Sequence, residues 1–274
     1  MEKSFSVNIC VYHKDDPDYF EKAIISITQE QTIKPNEVVI IVDGPIYGEL
    51  KEKVLQYERQ KDLFKVVWLP KNLGHAGARQ AGLENSSYDL IAIMDADDIS
   101  RPDRFKEQLD FIQSNQEVDI IGGQIEEFIG HTNNIVGRRI VPNTNSEIYK
   151  YLKKRCPFNQ MTVMFKKNEI LKVGGYIDWY CNEDYYLWIR MALANCKFAN
   201  LPNTLVSVRV GKDMYSRRGG WEYFKSESKL QKYLYDHKLL SLPRYFFNIT
   251  IRFIVQVLLP NKIRGFIFQK LFRK

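Results

Sequence analysis

Three carboxylates crowd into four positions at Asp95-Ala96-Asp97-Asp98, directly after the apolar run Leu90 to Met94. That run reads as a strand buried on both faces, the signature of a parallel sheet with helices on either side. The acids then lie at the strand's C-terminal end, where open α/β sheets bind ligands. An Asp-x-Asp there can hold a hard divalent cation through oxygen. The bland alternative is an acidic turn before a helix, with Ser100 as N-cap, Pro102 in the first turn and Asp103 near the helix dipole. It leaves Asp95 and Asp97 unexplained, and carboxylates at a buried edge need a partner. Two further sites repeat the theme. Asp43 ends the apolar run Val38 to Val42. Glu183 and Asp184 open a segment in which Tyr185, Trp188, Ile189, Ala192 and Leu193 recur at helical spacing. For that pair, dipole complementation and catalysis are both open readings.

The elements that would position these acids follow from periodicity. Phe5 to Val11 reads as a first strand, and Asp16-Pro17 opens a helix carrying Phe20, Ala23, Ile24 and Ile27. Glu37 to Val42 is a second strand, Leu50, Val54 and Tyr57 mark a helix, and Phe64 to Leu69 is a third strand. Residues 71–82 form a small-residue helix that can approach a neighbour closely, and Phe105, Leu109 and Ile112 mark the helix after the acidic cluster. The βαβα pattern to residue 115 demands a mostly parallel central sheet with flanking helices. Beyond it, Val118 to Ile125, Ile135 to Val141 and Met161 to Phe165 read as strands, and Ser146 to Arg155 as a helix. The expected organisation is a ligand-binding half over 1–115, a second half of the same domain over 116–215, and a helical, basic region over 216–274.

Composition narrows the class. With 274 residues, 45% hydrophobic, the chain can bury a substantial core. Its four cysteines form no CxxC pair, so the sequence predicts neither a zinc site nor a disulfide framework, but a reducing, cytoplasmic setting. Met1-Glu2-Lys3 leads straight into Phe5 to Val11, too short for an h-region, so no signal peptide is expected. The net charge is +7, but residues 237–274 hold eight Lys or Arg and no acid, and removing those eight leaves −1. The basic character belongs to the tail. There Arg244, Asn248, Arg252 and Gln256 make one polar stripe in an otherwise apolar segment that is too short and too charged to span a bilayer. With the basic, apolar stretch 261–274, it suits helices lying in a membrane interface. The competing reading packs its apolar face on the protein's own core. Nucleic-acid binding would explain the charge but not the apolar density. A dinucleotide-binding oxidoreductase is disfavoured because Gly74, Gly77 and Gly82 are spaced wrongly for GxGxxG.

Several motifs in order carry a resemblance: Val7 to Tyr12, Val42-Asp43-Gly44-Pro45, Asn72-Leu73-Gly74, Met94 to Phe105, Asn182-Glu183-Asp184, and Arg209-Val210-Gly211 through Tyr215 to Gly220. Together they resemble a bacterial family 2 glycosyltransferase of the GT-A fold, similar to the amylovoran-type galactosyltransferase group. The resemblance implies a Rossmann-like α/β domain followed by C-terminal amphipathic helices. It implies an inverting, metal-dependent enzyme moving galactose or glucose from a UDP-sugar to a polyprenyl-diphosphate-linked saccharide in O-antigen, capsule or exopolysaccharide assembly. By position it implies donor binding by Val11, Tyr12, Asp43, Arg79, Asp95 and Asp97, with Mn²⁺ or Mg²⁺ on Asp97. It implies Asp184 as general base, with Glu183 as competitor. The setting it suggests is the cytoplasmic face of the bacterial inner membrane, without a span and without nucleic acid. A degenerate member that tethers partners at the membrane and a nucleotidyltransferase are the alternatives. The latter would want a glycine-rich loop after the first strand, and residues 11–18 have no glycine.

Overall fold

A computed structural model describes residues 4–211 and 219–260. The N-terminal half alternates as expected: β1 (Phe5–Val11), α1 (Pro17–Ile27), β2 (Glu37–Val42), α2 (Gly48–Glu58), β3 (Phe64–Trp68), α3 (Gly74–Asn85), β4 (Leu90–Asp95), the two-residue β5 (Ile99–Ser100) and α4 (Arg104–Ser114). There follow β6 (Ile120–Phe128), β7 (Ile135–Arg139), α5 (Asn145–Leu152), β8 (Met164–Lys166), α6 (Lys167–Lys172), α7 (Glu183–Leu193), β9 (Phe198–Arg209), α8 (Trp221–Asp236) and α9 (Leu242–Phe253). α9 runs on into a π-helical turn, Ile254–Leu258.

Among the described residues all nine strands share one sheet, ordered β3-β2-β1-β4-β8-β6-β9-β5, with β7 paired to β6. Strands β1 to β4 are mutually parallel. The remainder is mixed, because β8 runs antiparallel to both β4 and β6 while β6 and β9 are parallel. The expected halves are therefore joined through continuous backbone pairing.

β4 shows why its run is apolar throughout. Leu90, Ala92 and Met94 enter the core beneath α1, α2 and α4, whereas Ile91 and Ile93 enter the one beneath α5, α7 and α8. A strand buried on both faces cannot alternate with polar residues. On β1, Ser6, Asn8 and Cys10 alternate with the core residues and lie on the other face, toward α3. A Cβ on Gly82 of α3 would stand 2.8 Å from Asn8 Nδ2, so the small residues do permit a close approach.

Three boundaries differ from the sequence reading. Ser100 is not a helix cap: it pairs with Val206 in β5, and α4 begins at Arg104 without a side-chain cap. The run Met161 to Phe165 divides into a 3₁₀ turn (Gln160–Thr162) and β8. β9 is absent from the sequence reading because Asn200, Pro202 and Asn203 are strand breakers, accommodated here where the β6–β9 register shifts.

The C-terminal stripe is resolved clearly. α9 has one buried residue, Asn248, and it is polar. Asn248 Nδ2 donates to Gln231 Oε1 at 2.7 Å, and Arg252 Nε stands 2.7 Å from Glu227 Oε2. Phe246, Phe247, Ile251, Ile254 and Leu258 are exposed. The polar stripe thus packs inward and the apolar residues face out, the reverse of core packing. Residues 261–274 and the motif residues Tyr215 to Arg218 lie outside the described residues.

Candidate active site

β4 delivers its acids to the sheet's C-terminal edge, and each acid has a different surrounding. Asp95 is partly exposed and its Oδ1 stands 3.3 Å from Arg79 Nη2. Asp97 is exposed. Asp98 is buried, and its Oδ1 accepts the Arg209 N–H at 2.9 Å. Burial, reinforced by Asp97 and Asp95, raises the Asp98 carboxyl well above the usual carboxylate range. Asp98 therefore anchors the loop. From β9, Arg209 also donates through Nε to the Asp97 carbonyl at 3.1 Å and stacks over Tyr19, 3.7 Å from the ring centroid. Beneath the loop, the fully buried Arg104 donates to the Ile93 carbonyl at 2.8 Å; burial pulls its guanidinium down to about 9.

Arg79 joins the two acidic motifs. Its second nitrogen stands 2.8 Å from Glu183 Oε1, so one buried guanidinium spans β4 and the start of α7. Burial disfavours its charge, but Asp95 and Glu183 outweigh that and hold it firmly protonated. The Glu183 carboxyl is raised by burial and by Asp184, with Arg79 and His75 opposing. Asp184 is placed differently: Cys156 Sγ donates to its Oδ2 at 3.7 Å, and its carboxylate lines a cavity of about 650 Å³ that Asp95 and His75 also line. Of the two acids, Glu183 is neutralised by an ion pair, whereas Asp184 faces the open volume.

The remaining expected donor residues gather at the ends of β1 and β2. The Asp43 carboxylate accepts the Leu73 N–H at 2.6 Å and the Gly74 N–H at 3.1 Å, capping α3 and fixing the 72–74 loop. Close approach requires Gly44, whose φ is +87° and whose added Cβ would lie 2.6 Å from Asn72 N. The Val11 side chain is buried in the core, so this residue presents only backbone to the strand end. Tyr12 follows it, its N–H held by Asp15 Oδ2 at 2.9 Å.

Asp15, His75 and Cys156 are site residues that the sequence reading does not single out, and Arg209 stands there only in a motif without a role. Asp15 is pushed up to about 7, chiefly by burial; Tyr12 opposes, and Asp97 and Asp95 add to the rise. No spacing rule connects residues 15, 95 and 97; the adjacency of β1 and β4 does. Asn159 is a structural residue, fully buried and donating to the Gly123 carbonyl at 2.8 Å.

Among the described residues no three His, Cys, Asp or Glu side chains converge as a metal-ligating group. The donor set still suits a hard cation, because Mg²⁺-type sites use one or two carboxylates and complete the shell with substrate phosphates and water. Asp97 and Asp95 add to the rise of Asp15 after burial, and a cation would offset that repulsion.

The Glycosyl transferase family 2 profile matches residues 6–177. The chain is 38% identical to UDP-Gal:alpha-D-GlcNAc-diphosphoundecaprenol beta-1,3-galactosyltransferase of Escherichia coli, over 98% of this chain and 97% of that one. It is 36% identical to Amylovoran biosynthesis glycosyltransferase AmsE of Erwinia amylovora, over 97% and 98% respectively. Among solved structures it resembles S. aureus TarS 1-349 in complex with UDP-GlcNAc, with a TM-score of 0.68 at 15% identity over 96% of this chain and 78% of that one.

Proposed function

The chain belongs to glycosyl transferase family 2 and has the GT-A fold, and from that premise we propose that it transfers galactose or glucose from a UDP-sugar to a polyprenyl-diphosphate-linked saccharide, with inversion, forming a β linkage in surface polysaccharide assembly. The donor and acceptor classes follow the near full-length similarity to the galactosyltransferase named above. One observation carries the mechanism: Asp95 and Asp184 line the same cavity, so a donor held at the first carboxylate and an acceptor hydroxyl at the second share one reaction volume.

In this reading Asp184 is the general base. Its carboxylate takes the proton of the acceptor hydroxyl as that oxygen attacks the anomeric carbon. Glu183 has its charge matched by Arg79 and is the positioning residue, fixing the first turn of α7 against α3. Asp43, Tyr12 and the 72–74 loop form the nucleoside end of the donor site. Asp97, with Asp95, would hold Mn²⁺ or Mg²⁺. When bound, such an ion neutralises charge developing on the diphosphate leaving group.

The membrane reading is supported by the outward apolar face of α9. No helix among the described residues is long and apolar enough to cross a membrane, so the association is peripheral, at the cytoplasmic face of the inner membrane.

The test is transfer of labelled hexose from UDP-galactose and UDP-glucose to a synthetic N-acetylglucosamine-diphosphate-lipid, with the anomeric configuration read by NMR. A β-linked disaccharide is expected. An α linkage would remove the single-displacement reading, and the absence of transfer from every UDP-hexose would remove the donor assignment.

A further inference from the structure

The cavity that holds Asp95 and Asp184 continues to the C-terminal helices, where its wall changes character. Phe247 and Ile251 of α9 and Val255 of the π-helical turn line it, together with cations from two separate elements. Arg139 is committed to the Cys156 and Phe158 carbonyls, and Arg252 to Glu227. Lys154, following α5, and Arg244 of α9 line the same wall. The Arg244 guanidinium stands 5.4 Å from the ring centroid of Phe247, so a cation and an exposed aromatic ring form one unit at the cavity wall.

This wall is built to mix charge and oil. α9 turns its polar stripe inward, and its Arg252 donates to the Lys154 carbonyl at 2.7 Å, tying the helix to the residues after α5. The apolar residues that line the cavity therefore belong to the exposed face, and Phe247 is 56% exposed. A soluble sugar nucleotide would have no use for such a rim. A ligand whose anionic head lies among cations and whose hydrocarbon leaves across Phe247 and Ile251 matches it on both counts.

We propose that Lys154 and Arg244 form the subsite for the diphosphate of an isoprenoid-linked acceptor, with Phe247 and Ile251 covering the first isoprene units as the chain passes out over α9. This deepens the transfer reaction proposed above and rests on it for the direction in which the sugar points, toward Asp184. The cations bind the acceptor's phosphates, not the donor's, and discrimination between a lipid diphosphate and a free nucleotide lies in the apolar rim.

The test needs no turnover. Farnesyl diphosphate and farnesol are titrated calorimetrically against the full chain, against Lys154→Ala/Arg244→Ala, and against Lys106→Ala, which removes a cation from the exposed face of α4. The expected result is binding of the diphosphate at least tenfold tighter than of farnesol, loss of at least tenfold in the double variant, no change in Lys106→Ala, and no competition from UDP. Equal affinity for farnesol and farnesyl diphosphate, or equal losses in both variants, would overturn the subsite. Displacement by UDP would reassign the cations to the donor. Phe247→Ala with intact melting behaviour should weaken farnesyl diphosphate but not inorganic diphosphate; the reverse counts against the rim. Prenyl diphosphate binding with no transfer from any UDP-hexose would sink the parent reaction and leave the site standing.

Discussion

Arg79 and Glu183 form an ion pair of 2.8 Å between positions 104 apart in sequence, and the other arm of the same guanidinium reaches Asp95. The two acidic motifs are thus one electrostatic unit. Removing one member of a buried pair leaves an uncompensated charge, which costs about 3–5 kcal/mol. Arg79→Ala should therefore lower the unfolding free energy read from urea titration by that amount and abolish transfer. Glu183→Gln, which keeps a hydrogen-bond acceptor for Arg79, should cost less than half as much. Equal stability of all three proteins would show that the pair does not hold the halves together.

Asp184→Asn should reduce kcat by about 10²–10⁴-fold, the usual contribution of a positioned base, while UDP binding stays within twofold of wild type. Steady-state kinetics beside calorimetric UDP titration separates the two effects. A larger kcat loss in Glu183→Gln than in Asp184→Asn would exchange the roles of the two acids.

Asp15 gives a pH signature. Its carboxyl sits near 7 in the fold against about 3.9 in an unfolded chain. Between those values the folded state keeps a proton that the unfolded state has lost, so this group's contribution falls as pH rises from about 4 to about 7. Asp15→Asn removes that slope. In EDTA, the melting temperature of wild type relative to Asp15→Asn should drop across the window, and a flat difference would refute the assignment.

Gly44→Ala places a methyl group against the Asn72 backbone at a φ of +87°. Strain of this kind costs about 1–3 kcal/mol, and relief would move the 72–74 loop off Asp43. The expected outcome is a raised KM for the UDP-sugar with a smaller change in kcat. An unchanged donor KM would detach Asp43 and its loop from nucleotide binding.

Ile254→Glu/Leu258→Glu changes two exposed apolar residues beyond the cavity. Each apolar side chain buried in a membrane interface contributes about 1.5–3 kcal/mol, so the double variant should lose at least tenfold in liposome flotation with its melting temperature unchanged. Equal flotation would place the membrane contact elsewhere.

The sequence made the site's acids legible because each follows a long apolar strand or opens an amphipathic helix, so Asp43, Asp95, Asp97, Glu183 and Asp184 could be placed by local pattern alone. The Arg244, Asn248, Arg252, Gln256 stripe was legible as a stripe, but periodicity cannot say which side of a helix faces the protein. What stayed hidden depends on pairing between distant segments. Arg209 reaches Asp97 and Asp98 only because β9 returns beside β6 and β5, and the strand carrying it looks like loop. Asp15 is raised chiefly by burial, with Asp97 and Asp95, 82 and 80 positions away, adding to the rise, and Cys156 meets Asp184 by tertiary packing. Asn159 is an internal strut, and composition cannot separate a binding amide from a buried one.

The inward stripe of α9 has a geometric consequence. Because Asn248, Arg252 and Gln256 fasten the helix to α8 and to the residues after α5, α9 is not a tethered float but a keel. A surface that settles on its outer face is registered, in both tilt and height, to the cavity a few side chains away. Acceptors diffusing in such a plane meet the mouth at one fixed depth, and the search for them loses a dimension before chemistry begins.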